Sequence, residues 1–181
     1  MSLFKSLTTT FLFRVVVIIT SMITGIILAR TLGPEGRGEW ALILLNIVLL
    51  TLVANLGTPE ASIYFIGQKK YLEQEIISTL ITYSITIVLI IISLNILLFK
   101  LQLNIFLNKY DTNVVYLVSF IILPQALNTQ IRHFLLGKKE VLAYNLLVMY
   151  ESVLFTLAIS ALALLSFVSV YSVITVYLVV N

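Results

Sequence analysis

Six side chains interrupt apolar stretches where each polar or charged group needs a reason: Arg14, Ser21, Gln125, Asn128, Arg132 and Glu151. Two guanidinium groups against one carboxylate within the apolar stretches favour an anionic substrate. Thr10, Arg14, Ser21 and Gly25 fall at spacings of four, seven and four, on one face of a helix. Gln125, Asn128, Thr129 and Arg132 recur at i, i+3, i+4 and i+7 and define a second polar face, with Pro124 at its start as an expected kink. Each stripe has a plain alternative. Arg14 can snorkel its head to the lipid surface, Ser21 and Gly25 suit close helix packing, and amides hydrogen-bond between helices. The sharper reading is that both stripes line a water-filled cavity. Glu151 shares a helix face with Tyr144 and calls for a cationic partner, for which Arg132 is the candidate. A structural ion pair is the commoner explanation of such a couple, proton coupling the rarer. His133, one residue beyond Arg132, reads as interfacial rather than as a proton relay.

Other chemistries lack their parts. The chain has one histidine and no cysteine, so thiolate metal sites and disulfides are excluded, and neither a metal site nor a bound cofactor is expected. Gly33-Pro34-Glu35-Gly36 is a turn and not a phosphate cradle, because no lysine followed by Ser or Thr stands in the required places. A net charge of +3 spread among loops gives no nucleic-acid footprint. No hydrolase, zinc or ATPase constellation emerges, and the chain does not read as an enzyme.

The elements that position these residues follow from composition. Of 181 residues, 60% are hydrophobic and 10% charged, against about 45–50% and about a quarter in soluble domains. Charge-free runs cover 15–29, 40–59, 76–99, 114–131 and 152–181. Most reach or approach the roughly 20 residues that cross about 30 Å of hydrocarbon. The sequence predicts an all-α, polytopic transmembrane bundle in a single domain over 1–181, with spans near 9–30, 39–57, 76–99, 114–136 and 143–167. A sixth span begins near Tyr171 and stops at Asn181 after about half the length a crossing needs, so the chain reads as a fragment or truncated product. A cleaved signal peptide does not fit the first segment, because another long apolar run follows almost at once.

Two connections are expected to be tight turns: 31–38, with Gly33, Pro34 and Gly36, and Gly57-Thr58-Pro59. Residues 61–75 suit a short helix lying in the membrane interface. A cytoplasmic N-terminus places Lys5, Lys69, Lys70, Arg132, Lys138 and Lys139 inside and Arg30, Arg37, Lys100 and Lys109 outside, a majority of basic residues on the inner side. With that orientation Arg14 lies about 8 Å and Glu151 about 12 Å from the cytoplasmic ends of their helices.

The run Ile26-Ile27-Leu28-Ala29-Arg30-Thr31-Leu32-Gly33-Pro34-Glu35-Gly36-Arg37-Gly38-Glu39-Trp40, after a first helix carrying Arg14, resembles the start of the polysaccharide transport proteins of the MATE-like MOP flippase superfamily. Ala54-Asn55-Leu56-Gly57-Thr58-Pro59-Glu60-Ala61 and the region 128–145, with Arg132, Gly137, Lys138 and Asn145, are similar to the same proteins. The resemblance implies the N-terminal lobe of a transporter with two helical bundles around a central cavity. It further implies export of an undecaprenyl-diphosphate-linked oligosaccharide across the inner membrane, for O-antigen, capsule or a similar glycan. The partners implied are that lipid-linked sugar, membrane lipid, and the remaining C-terminal bundle or a partner chain. Arg14 and Arg132 then become contacts for the diphosphate, and Gln125 and Asn128 for sugar hydroxyls. The rival readings are a drug or cation exporter of the same superfamily and a non-transporting membrane subunit or truncated remnant.

Overall fold

The computed structural model describes residues 3–68, 71–103, 107 and 110–181, with side chains from residue 8 onward. The expectations for Lys69, Lys70, Lys109 and the Lys5 side chain lie outside the described residues. Among the described residues the secondary structure is helical throughout: α1 (Leu3–Asn55), α2 (Thr58–Gln68), α3 (Glu73–Lys100), α4 (Thr112–Gly137), α5 (Val141–Leu164) and α6 (Val170–Val180). Lipid offers backbone groups no hydrogen-bond partner, so a chain this apolar must satisfy them within its own helices. The spans expected from sequence match α3, α4 and α5 to within three residues, and α6 begins one residue before its expected start.

The region around Gly33 differs from expectation. Instead of a helix-ending turn over 31–38, helix continues through it and Gly33 alone leaves helical geometry, at φ 68° and ψ −177°. Only glycine tolerates that conformation without strain. Pro34 then opens the next helical stretch, where its missing N–H costs nothing and its fixed φ is already helical. Gly36 is helical too, and its bare Cα serves packing: a Cβ there would stand 3.1 Å from Leu32 Cβ and 3.7 Å from Val170 Cγ2. Pro59 likewise sits in the first turn of α2 rather than in the connection, while Gly57, at φ 77°, makes the turn before it. α4 stays helical through Pro124.

The apolar stretch of α1 runs from Thr8 to Asn55, 48 residues, or about 72 Å of helix. That is more than twice the roughly 30 Å of a hydrocarbon core, so α1 is two arms, 3–32 and 34–55, joined at Gly33. Side-chain pairing between the first arm and α5 bears this out. Thr10, Thr20 and Thr24 meet Asn145, Ser152 and Thr156 in that order, so the two helices run parallel. If each arm, α3, α4 and α5 crosses once, α5 is the fifth crossing and runs in the direction of the first, whereas a single crossing by α1 would reverse it. Among the described residues four helices are long and apolar enough to span a membrane.

The chain divides into two compact units, one of 1–38 with 139–180 and one of 39–138 with Asn181. The first is built on the seam between the first arm and α5, with an edge-to-face ring pair of Phe155 and Tyr177 joining α5 to α6. In the second, α3 and α4 run antiparallel, tied by Asn95 to Ser119 at 2.8 Å and by Lys138 to Glu73 at 3.0 Å. Its core is Ala54, Val88, Ile91, Ile122 and Ala126. Small residues matter here because helix association in lipid rests on close packing and interhelical hydrogen bonds. Gly137 shows this most sharply: a Cβ would stand 3.0 Å from Ile66 Cδ1 and 3.2 Å from Ile63 Cα, so its absence lets α2 rest against the end of α4.

Candidate functional site

In the first unit the seam consumes hydroxyls and an amide that would otherwise be costly in an apolar surrounding. Asn145 Nδ2 donates to Thr10 Oγ1 at 2.9 Å, Thr20 and Ser152 share a hydrogen bond at 2.6 Å, and Thr24 and Thr156 share one at 2.8 Å. Thr10 therefore faces α5. Arg14 and Ser21 lie beside the seam and are exposed, with the Ser21 hydroxyl returned to the Val17 carbonyl at 2.7 Å. Helical periodicity places Arg14 roughly 80° to one side of the seam on the first arm and Glu151 roughly 120° to the matching side on α5. The Thr20–Ser152 register puts Glu151 about 8 Å further along than Arg14. Arg14, Ser21, Tyr144 and the half-buried Glu151 thus share one flank of the first unit.

The second unit holds the other set on α4. Gln125, Asn128 and Arg132 are half-buried on one face of that helix. Thr129, expected to join them, gives its hydroxyl to the Gln125 carbonyl at 2.9 Å, and a ring nitrogen of His133 meets the Thr129 carbonyl at 2.8 Å. The candidate residues therefore form two sets: Arg14, Ser21 and Glu151 in one unit, Gln125, Asn128 and Arg132 in the other. Among the described residues no group of three His, Cys, Asp or Glu is placed to hold a metal ion.

The residue the sequence stripe passes over is Gln130. It lies on the opposite face of α4, 4% exposed, where its amide donates to Thr58 Oγ1 at 2.6 Å and more weakly to Asn55 Oδ1 at 3.4 Å. It joins α4 to the turn between α1 and α2. A glutamine flanked by Thr129 and Ile131 carries no periodic signal, and its partners are some 70 positions away. Two clefts also open in this unit. One of ≈ 370 Å³ lies between α2 and α3, near Phe65, Tyr71, Glu75 and Tyr83. The other, ≈ 220 Å³, lies between α3 and α4 and is apolar apart from Gln130. None of the six sequence-predicted cavity residues lines either one.

A family model described as polysaccharide biosynthesis protein matches residues 3–181. The chain belongs to that family. No curated protein and no solved structure matches the chain significantly. The assignment agrees with the helical membrane architecture, and it covers both arms of α1 as well as α2 to α6. This member of the polysaccharide biosynthesis family is thus a membrane protein whose six candidate residues fall into two local sets.

Proposed function

We propose that the protein is part of a flippase that moves undecaprenyl-diphosphate-linked oligosaccharide units across the inner membrane for O-antigen, capsule or a similar glycan, with its N-terminus in the cytoplasm. The observation that carries the reading is the family match along the whole set of membrane helices. The charge balance supports it: the candidate residues within spans include two arginines and one carboxylate. A diphosphate and its sugars do not cross hydrocarbon unaided, and a hydrated cationic cavity lowers the desolvation cost while the prenyl tail stays in lipid. Arg14 and Arg132 bind the diphosphate in this proposal, Gln125 and Asn128 bind sugar hydroxyls, and Ser21 and Glu151 complete the lining. The remaining walls come from further helices of the same protein or from a partner chain, and access alternates between the two sides.

The test is a charge series in the full-length protein. Arg14→Lys retains part of the surface glycan, while Arg14→Ala and Arg14→Glu lower it progressively at unchanged membrane abundance. Snorkelling alone predicts that alanine is tolerated. Wild-type glycan in both Arg14→Ala and Arg132→Ala would leave the cationic cavity without support.

A further inference from the structure

Buried oxygens in the second unit carry an inference that does not depend on the substrate. Ser84 and Gln130 are 1% and 4% exposed, and Ser84 Oγ and Gln130 Oε1 each lack a hydrogen-bond partner among the described residues. A buried polar atom of this kind costs about 1–3 kcal/mol if nothing meets it. The two belong to facing helices. Asn95 and Ser119 bond across α3 and α4 at 2.8 Å, and these helices run antiparallel. Ser84 and Gln130 each stand eleven positions from that pair, 84 from 95 and 130 from 119. Eleven residues advance a helix by about 16 Å and return it to within about 20° of the same face. By register, Ser84 and Gln130 are therefore expected level with each other on the facing sides of α3 and α4, and no direct hydrogen bond joins them.

Their proton bookkeeping is determined by their neighbours. Thr58 gives its one hydroxyl proton to the Asn55 carbonyl at 2.6 Å, so toward Gln130 its Oγ1 can only accept. That requires the Gln130 amide nitrogen on the Thr58 side and leaves Oε1, a pure acceptor, on the other. On α3, Ser78, Thr79, Thr86 and Ser93 all return their hydroxyl protons to carbonyls of their own helix. Ser84 does not, so its proton is available for a partner outside the helix. A ligand that accepts one hydrogen bond and donates another satisfies both atoms.

We infer that Ser84 and Gln130 form a binding site for a single buried water, which accepts from Ser84 Oγ and donates to Gln130 Oε1, joining α3 to the layer of Gln130, Thr58 and Asn55. Such bridging waters meet two to four polar groups and are part of a fold. A bound monovalent cation is the competing occupant of a neutral oxygen site.

The inference is tested by a double-mutant cycle in the purified full-length protein, using Ser84→Ala, Gln130→Met and the pair, with the midpoint of unfolding in detergent as readout. A shared water predicts that each single change lowers the midpoint and that the double change is no worse than the more harmful single. Additive losses overturn the bridge. Replacing sodium chloride by choline chloride is expected to leave the wild-type midpoint unchanged. A sodium-dependent shift that disappears in Ser84→Ala would replace the water by a cation. An experimental structure at a resolution that shows ordered water is expected to place one within hydrogen-bond reach of both atoms, and dry, direct packing there would also refute the site.

Discussion

Gly137 offers the most direct test of how the second unit packs. In Gly137→Ala the new methyl group would stand 3.0 Å from Ile66 Cδ1, 3.1 Å from Ile66 Cβ and 3.2 Å from Ile63 Cα. The first contact is relieved by rotating a flexible side-chain end. The other two require α2 itself to move by a few tenths of an ångström. Overpacking of this kind costs about 1–3 kcal/mol. Exchanging glycine for alanine in a helix returns at most about 1 kcal/mol, and less here because Gly137 is the last residue of α4. The net expectation is a loss of about 1–2 kcal/mol, larger for Gly137→Val. Purified protein in a mild micelle, titrated with a denaturing detergent and followed by circular dichroism, gives the free energy. Specificity comes from adding Ile66→Gly, which removes both of the Ile66 atoms that the new methyl group meets. Alone it should destabilise by leaving a void, but in the Gly137→Ala background it should cost markedly less. Independent, additive effects would show that α2 does not press on the end of α4.

Three further outcomes are expected. Gly33→Ala places a side chain in a backbone region nearly exclusive to glycine and should cost about 1–3 kcal/mol in the same titration, whereas Gly38→Ala, a helical position with open space around it, should be neutral or slightly stabilising. Asn95→Leu and Ser119→Ala should be coupled through their buried 2.8 Å hydrogen bond by about 0.6–1.7 kcal/mol in a double-mutant cycle, and zero coupling would remove that bond from the account. Single cysteines at 37 and 138, introduced into a chain with no native cysteine, should be labelled by an impermeant thiol reagent in whole cells at 37 and not at 138, the reverse pattern contradicting a cytoplasmic N-terminus.

The spans were legible because the requirement behind them is one-dimensional: roughly 20 apolar residues in a row are needed wherever helix crosses lipid. The Gly-Pro step at 33–34 was equally visible as a break. Its width was not, because two further glycines suggested a helix-ending turn, whereas Gly36 and Gly38 stay helical and Gly36 packs against Leu32 and Val170. The polar stripes were legible as helix faces but not their neighbours. Thr20 and Thr24 look like any hydroxyls in a membrane helix, which usually bond back to their own backbone as Ser21 does. Thr20 does so too, to the Val16 and Val17 carbonyls at 3.0 Å, and that it also meets Ser152, and Thr24 meets Thr156, depends on which helices pair and in what register. The same holds for Gln130, whose importance lies in Thr58 and Asn55 across the unit and not in any local spacing.

Transport of a lipid-linked sugar can be followed in a reconstituted system. The full-length protein is placed in vesicles with a polyprenyl-diphosphate-linked oligosaccharide confined to one leaflet, and arrival of the sugar in the other leaflet is followed by its accessibility to a lectin. Protein-dependent movement is expected, slowed by both Arg14→Ala and Arg132→Ala. No movement of the lipid-linked sugar, together with protein-dependent efflux of an organic cation from the same vesicles, would contradict it.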